Sequence, residues 1–187
     1  ALERLRESGE YAVPWMLDVL LDPEQKDLHP FVNEALPKLG KRVINPLIEA
    51  LKVDNEAVKH VVAQALGEIG YPQALPYLKR LVTDPDASPQ VRDSAMQAIE
   101  AIVVKDPGVK DKPAVELFND LAEQYYDDIS SLRPDPREDR ANVWFLRDAD
   151  SVLAPANWGW MILLFIIIKA IHEFGHGLVS KRLGGVV

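Results

Sequence analysis

Val43-Ile44-Asn45-Pro46-Leu47-Ile48-Glu49-Ala50-Leu51-Lys52-Val53-Asp54-Asn55-Glu56-Ala57-Val58-Lys59-His60-Val61-Val62-Ala63-Gln64-Ala65-Leu66-Gly67-Glu68-Ile69-Gly70 decides how this chain folds. Ile44, Leu47, Ile48 and Leu51 sit at the i, i+3, i+4, i+7 positions of one helical stripe. After a polar break at Val53-Asp54-Asn55, the residues Val58, Val61, Val62, Ala65, Leu66 and Ile69 form a second stripe. The spacing predicts a short helix over residues 45–52, a turn, and a longer helix over residues 56–69. Asp54 stands where its carboxylate can cap the second helix. Gly70 stands where a helix ends on a left-handed residue.

The unit recurs. Leu36-Pro37-Lys38-Leu39-Gly40 precedes Leu66-Gly67-Glu68-Ile69-Gly70 by 30 residues, and the same offset carries Pro46 to Pro76, Leu51 to Leu81 and Asp54 to Asp84. A looser copy sets Pro14 and Asp22 32 residues before Pro46 and Asp54. A later one sets Ala95, Ala98, Ile99 and Ile102 33 residues after Val62, Ala65, Leu66 and Ile69, which implies a small insertion near Asp86-Ala87-Ser88-Pro89. Periods of this length mark solenoids built from helix pairs, because one pair cannot bury its own apolar face. The expected fold is all-α: a HEAT-like solenoid of helical hairpins over 1–104, an extra helix and linker over 105–156, then one apolar, transmembrane helix within 157–187. Leu47, Leu51, Val62, Leu66, Leu78 and Ile99 are expected in the core. From Val43 to Gly70 the pattern resembles bacterial HEAT repeats, a likeness that extends over about residues 10–104. It implies a solenoid that contacts a protein partner or protein substrate, and it says nothing about catalysis.

Composition narrows the function classes. The 187 residues include 21 Lys and Arg against 29 Asp and Glu, a formal net charge of -8. Phosphate contacts need clustered positive charge, so no nucleic-acid partner is expected. The absence of cysteine removes disulfides and thiolate metal sites. The first ten residues are charged and lack the apolar core of a signal peptide. The start at Ala1 reads as a fragment or a processed chain.

Residues 112–132 read as a further helix with Val115, Leu117, Phe118, Leu121, Ala122 and Tyr125 apolar. Arg133-Pro134-Asp135-Pro136-Arg137-Glu138-Asp139-Arg140 mixes proline with both charge signs and has no core pattern, as in a linker or extended arm. Val143-Trp144-Phe145-Leu146 is a short apolar patch. It is suited to dock back onto the repeats or to lie at a membrane surface, with plain packing as the simpler reading.

The last region opens on eleven uninterrupted apolar residues, Trp158 to Ile168, and continues into His172-Glu173-Phe174-Gly175-His176. Eleven residues do not span a bilayer, which needs about twenty. Extension to Val179 reaches that length provided Lys169, His172, Glu173 and His176 face protein, metal or water. Trp158 and Trp160 suit one interface, and Lys181-Arg182 suit a cytoplasmic flank at the other. Two histidines four apart lie on one helix face, where His172 and His176 can ligate one Zn²⁺ while Glu173 serves as catalytic base. Catalytic zinc takes three protein ligands, and no third stands nearby; His29 and His60 lie in the repeats and read as ordinary surface or core histidines.

Ile171-His172-Glu173-Phe174-Gly175-His176-Gly177-Leu178, followed by Lys181-Arg182-Leu183-Gly184-Gly185, resembles the zinc-binding helix of the site-2-protease-like membrane metallopeptidases. The likeness covers about 30 residues. It implies His172 and His176 as zinc ligands, Glu173 as the catalytic glutamate, a bacterial inner-membrane location, and a third ligand, an aspartate, from a later membrane helix that this chain lacks. Little or no activity is therefore expected from this chain alone. Two function classes stand side by side: the N-terminal part of a membrane-embedded zinc metallopeptidase with a HEAT-repeat interaction module, or a non-catalytic membrane-tethered HEAT scaffold. The side of the membrane that the repeats occupy stays open.

Overall fold

The computed structural model describes residues 2–104, 106–133, 144–146 and 162–170. It divides into two compact units, Ala1–Leu146 and Arg147–Val187. The regular elements among the described residues are all helical. In the first unit they are α1 (Leu2–Ser8), α2 (Ala12–Leu21), α3 (His29–Ala35), α4 (Ile44–Ala50), α5 (Glu56–Ile69), α6 (Leu75–Thr83), α7 (Pro89–Val103) and α8 (Ala114–Tyr126). Short 3-10 stretches connect them, among them Pro23–Leu28, Pro37–Val43, Pro72–Ala74 and Pro107–Val109.

The expected hairpins form: α2 packs on α3, α4 on α5 and α6 on α7. Between hairpins, α2 meets α4, α6 meets α8, and the most extensive interface joins α5 to α7. First helices therefore stack in one layer and second helices in another. Helix α8 packs on α6 and runs antiparallel to it, with Leu117 and Leu121 as its buried residues. In the central hairpin Ile44, Leu47, Ile48 and Leu51 are all buried, as are Val58, Val62, Ala65 and Leu66. Leu78 is buried too, whereas Ile99 is only partly covered and Ile102, one turn further along α7, takes the deeper position.

The caps differ from the sequence expectation. The carboxylate of Asp54 does not cap α5; Asn55 does, its extended backbone (φ -149°) letting the side-chain oxygen accept from the Val58 amide. Ser88 likewise caps α7 by accepting from the Val91 amide. A cap must be the last non-helical residue, and Asp54 and Asp84 stand too early in their turns. Asp22 alone of the three is in place, accepting from the Glu24 amide ahead of the 3-10 stretch Pro23–Leu28. Gly70 ends α5 in the left-handed region (φ 69°, ψ 37°), as its position in the repeat predicts.

The 33-residue offset corresponds to an ordered loop. Asp84 accepts from the Asp86 amide, Arg92 donates to the Asp84 and Pro85 carbonyls at 2.8 and 3.0 Å, and the Ser88 amide donates to Glu56 at 3.0 Å. These bonds to Ser88, hydroxyl foremost and amide second, hold the Glu56 carboxyl below its usual range. The first repeat is shortened for a different reason. Pro37 has no N–H and its ring obstructs the preceding turn, so α3 stops at Ala35 and the 3-10 stretch Pro37–Val43 packs against α5 instead.

Helix α8 is shorter than residues 112–132. It ends at Tyr126, and Asp128 turns the chain with a φ of 52°. Residues 134–143 of the arm lie outside the described residues. In the second unit, residues 162–170 are helical and Ile162 to Ile168 are exposed. The remainder of the expected membrane helix lies outside the described residues, and among those described no helix is long and apolar enough to cross a membrane.

Replacing Leu66, fully buried, with Ala should cost about 2–5 kcal/mol, the range for a leucine deleted from a core, read by denaturant unfolding. Ser88→Ala should cost about 1 kcal/mol, as for a lost cap. It should also move the Glu56 titration up toward the ordinary carboxylate range, visible by NMR. The sign follows from the depressed carboxyl: its contribution is present above the unfolded value and fades as pH falls through the folded one.

Candidate interaction surface

Second helices present their outward face to solvent, and its chemistry follows from which positions the stripe leaves over. On α5 these are Gln64 and Glu68; on α7 they are Asp93, Met96, Gln97 and Glu100, all exposed. The cations of the two helices are engaged locally: Lys59 pairs with Glu56 at 3.4 Å, and Arg92 holds the loop carbonyls. The face is therefore acidic and amide-rich, with one exposed thioether at Met96. Such a surface favours a basic protein segment and repels an acidic one.

On the side of the first helices a cleft of about 250 Å³ opens between the end of α4 and α6, lined by Leu51, Lys52, Lys59, Tyr77, Arg80 and Asp84. Lys52 is bonded to Glu49 at 2.6 Å, and the Arg80 guanidinium lies 5.8 Å from the centroids of both Tyr77 and Phe118. Tyr77 meets Phe118 edge to face, with centroids 4.9 Å apart at 81°. Burial foremost, with Glu49 adding to it, raises the Tyr77 phenol above its ordinary value. This aromatic pair docks α8 on α6, with Arg80 as a cationic cover. Lys79 completes the joint: its ammonium donates to the carbonyls of Val109, Lys110 and Lys112 at the end of the 3-10 stretch Pro107–Val109. Those carbonyls have no helical partner and suit a cation.

His29 and His60 are structural. A ring nitrogen of His29 lies 3.0 Å from the Val19 carbonyl and ties α3 to α2. Ser94 donates to the Gln90 carbonyl at 2.8 Å, so the Nδ1–H of His60 donates to Ser94. Among the described residues no cluster of three His, Asp or Glu side chains could hold a metal. His172, Glu173 and His176 lie outside the described residues. Sequence reading did not single out Lys79, Arg80 or the Tyr77–Phe118 pair as a joint. Only Phe118 carried a signal, as one of the apolar positions of α8.

Compared with known families, residues 13–100 match HEAT repeats. That span covers α3 to α6 entirely and most of α2 and α7. These residues form a helical, solenoid-like module of the type that mediates protein–protein interaction. No curated protein matches the chain.

Lys79→Met should leave α5 and α7 intact yet loosen α8, because three carbonyls lose their common donor. Hydrogen exchange should quicken over residues 107–121 and stay unchanged in α5.

Proposed function

We propose that the repeats are the protein-docking module of a membrane-embedded zinc metallopeptidase, to which residues 157–187 contribute the zinc-binding helix. The acidic, amide-rich face of α5 and α7 supports the docking half, and it specifies a partner or substrate with a basic, flexible segment. The hydrolytic half rests on the HExxH motif and its apolar approach. The donor set suits zinc: His172 and His176 offer neutral nitrogens four residues apart, and the third ligand comes from a chain segment other than the repeats. When bound, the metal supplies a Lewis acid and lowers the pKa of water at the site. Glu173, next to His172, takes the proton of the attacking water and passes it to the leaving amine. Trp158 and Trp160 at one end and Lys181-Arg182 at the other support a membrane setting for this helix, with the basic pair suited to a cytoplasmic flank; the bacterial inner membrane follows from the likeness to the site-2-protease-like peptidases.

A scaffold reading is favoured by one observation: the match to known families covers only the repeats. In that case the same docking face serves tethering alone.

Two measurements separate these readings. The full chain purified in detergent should carry less than one zinc per molecule, because two ligands hold the metal weakly. Glu173→Gln should retain it, and His172→Ala together with His176→Ala should remove it. Zinc content that does not respond to the histidines leaves the scaffold as the survivor. For the docking face, basic peptides should bind the full chain and weaken as salt screens the contact. Glu68→Lys with Glu100→Lys should reduce that binding at least tenfold.

A further inference from the structure

The turns preceding α2, α4 and α6 lie along one edge of the first unit. Gln73, just before α6, donates to Asn45 in the first turn of α4 at 2.7 Å, which joins two of these turns directly. The end of α8 and described residues after it touch these turns at three points. The Tyr125 hydroxyl accepts from Gln73 at 2.7 Å. The Ser131 carbonyl then accepts from Lys41 at 3.2 Å and from the Tyr71 hydroxyl at 3.0 Å, residues that precede α4 and α6. Trp144 arrives at the turn before α2: its indole N–H donates to Glu10 at 2.7 Å, and its ring meets Tyr11 edge-on, 6.0 Å between centroids at 60°. The first unit ends at Leu146, two residues later.

We propose that Trp144 is a latch that fastens the residues after α8 to the turn before α2, so that Glu10 and Tyr11 are engaged in cis. The contact has the chemistry of a latch rather than of a core. A single indole makes one charge-assisted bond and one ring contact. The neighbouring Phe145 and Leu146 stay 65% and 44% exposed. A contact this small holds because it is tethered, at an effective concentration on the order of millimolar. It opens at far lower cost than the repeats unfold. The ligand that would displace it is defined by the same atoms: an extended protein segment offering an aromatic ring with an N–H donor to Tyr11 and Glu10.

The chain has no cysteine, so spin labels can be placed on Ser8→Cys and Leu146→Cys in the full chain and read by pulsed dipolar spectroscopy. The latched chain should give one narrow, short distance. Adding Trp144→Ala should broaden the distribution and remove more than half of the short population, while the melting temperature of the repeats stays unchanged. A broad distribution with Trp144 present overturns the latch, as does a short distance that survives Trp144→Ala. A large fall in melting temperature on Trp144→Ala would also overturn it, by making the residue part of the core.

Discussion

Gly67 lets α5 and α7 approach more closely than any side chain would allow, and the rest of the first unit is arranged around that approach. A Cβ added at Gly67 would stand 2.7 Å from the Ala98 Cα and 2.8 Å from its Cβ. Interior glycine weakens a helix by about 1 kcal/mol relative to alanine, and forcing extra volume into a packed contact costs about 1–3 kcal/mol. The second term wins because the obstructing atoms include backbone, which cannot rotate away. Glycine on one helix and alanine on the other thus bring the second helices of adjacent repeats together, and Leu66, Val62, Ala95 and Ile102 are buried around the contact.

From this contact the polar features follow in order. Close stacking of α5 on α7 brings Glu56 to the loop before α7, where Ser88 both caps its own helix and holds that carboxylate. It also brings His60 to Ser94, which satisfies the one buried polar side chain among the described residues. What remains outward on these helices is acidic or amide, and its charge is left over for a partner. The exposed acidic face is thus a by-product of the packing stripe: positions the core does not use are free to carry charge.

The last stacked helix is held differently. Helix α8 buries only Leu117 and Leu121, too little to fix it by burial alone, and the Tyr77–Phe118 pair with Arg80 and Lys79 supplies the remainder. Beyond it, Ser131 and Trp144 touch the turns that precede the first helices. A solenoid whose repeats contact only their neighbours acquires, through Ser131 and Trp144, links between residues far apart in sequence.

The sequence by itself determined the repeat: leucine, glycine and proline recur in register, and burial follows helical periodicity closely enough to name Leu47, Leu51, Val62, Leu66 and Leu78. It singled out Val143-Trp144-Phe145-Leu146 as a short apolar patch but left open docking on the repeats, a membrane surface and plain packing. It misassigned the caps of α5 and α7, because Asp and Asn are both able caps and only backbone geometry decides which residue is the last before the helix. It overran α8 by six residues because periodicity does not register the left-handed Asp128. The meeting of Gly67 with Ala98, of Lys79 with three carbonyls and of Trp144 with Glu10 was decided by tertiary structure alone. Each joins residues 30 to 134 positions apart, and local periodicity carries no information across such distances. The HExxH motif stands the other way round: it is legible in the sequence through spacing alone, since two histidines one turn apart need nothing but a helix to share a face.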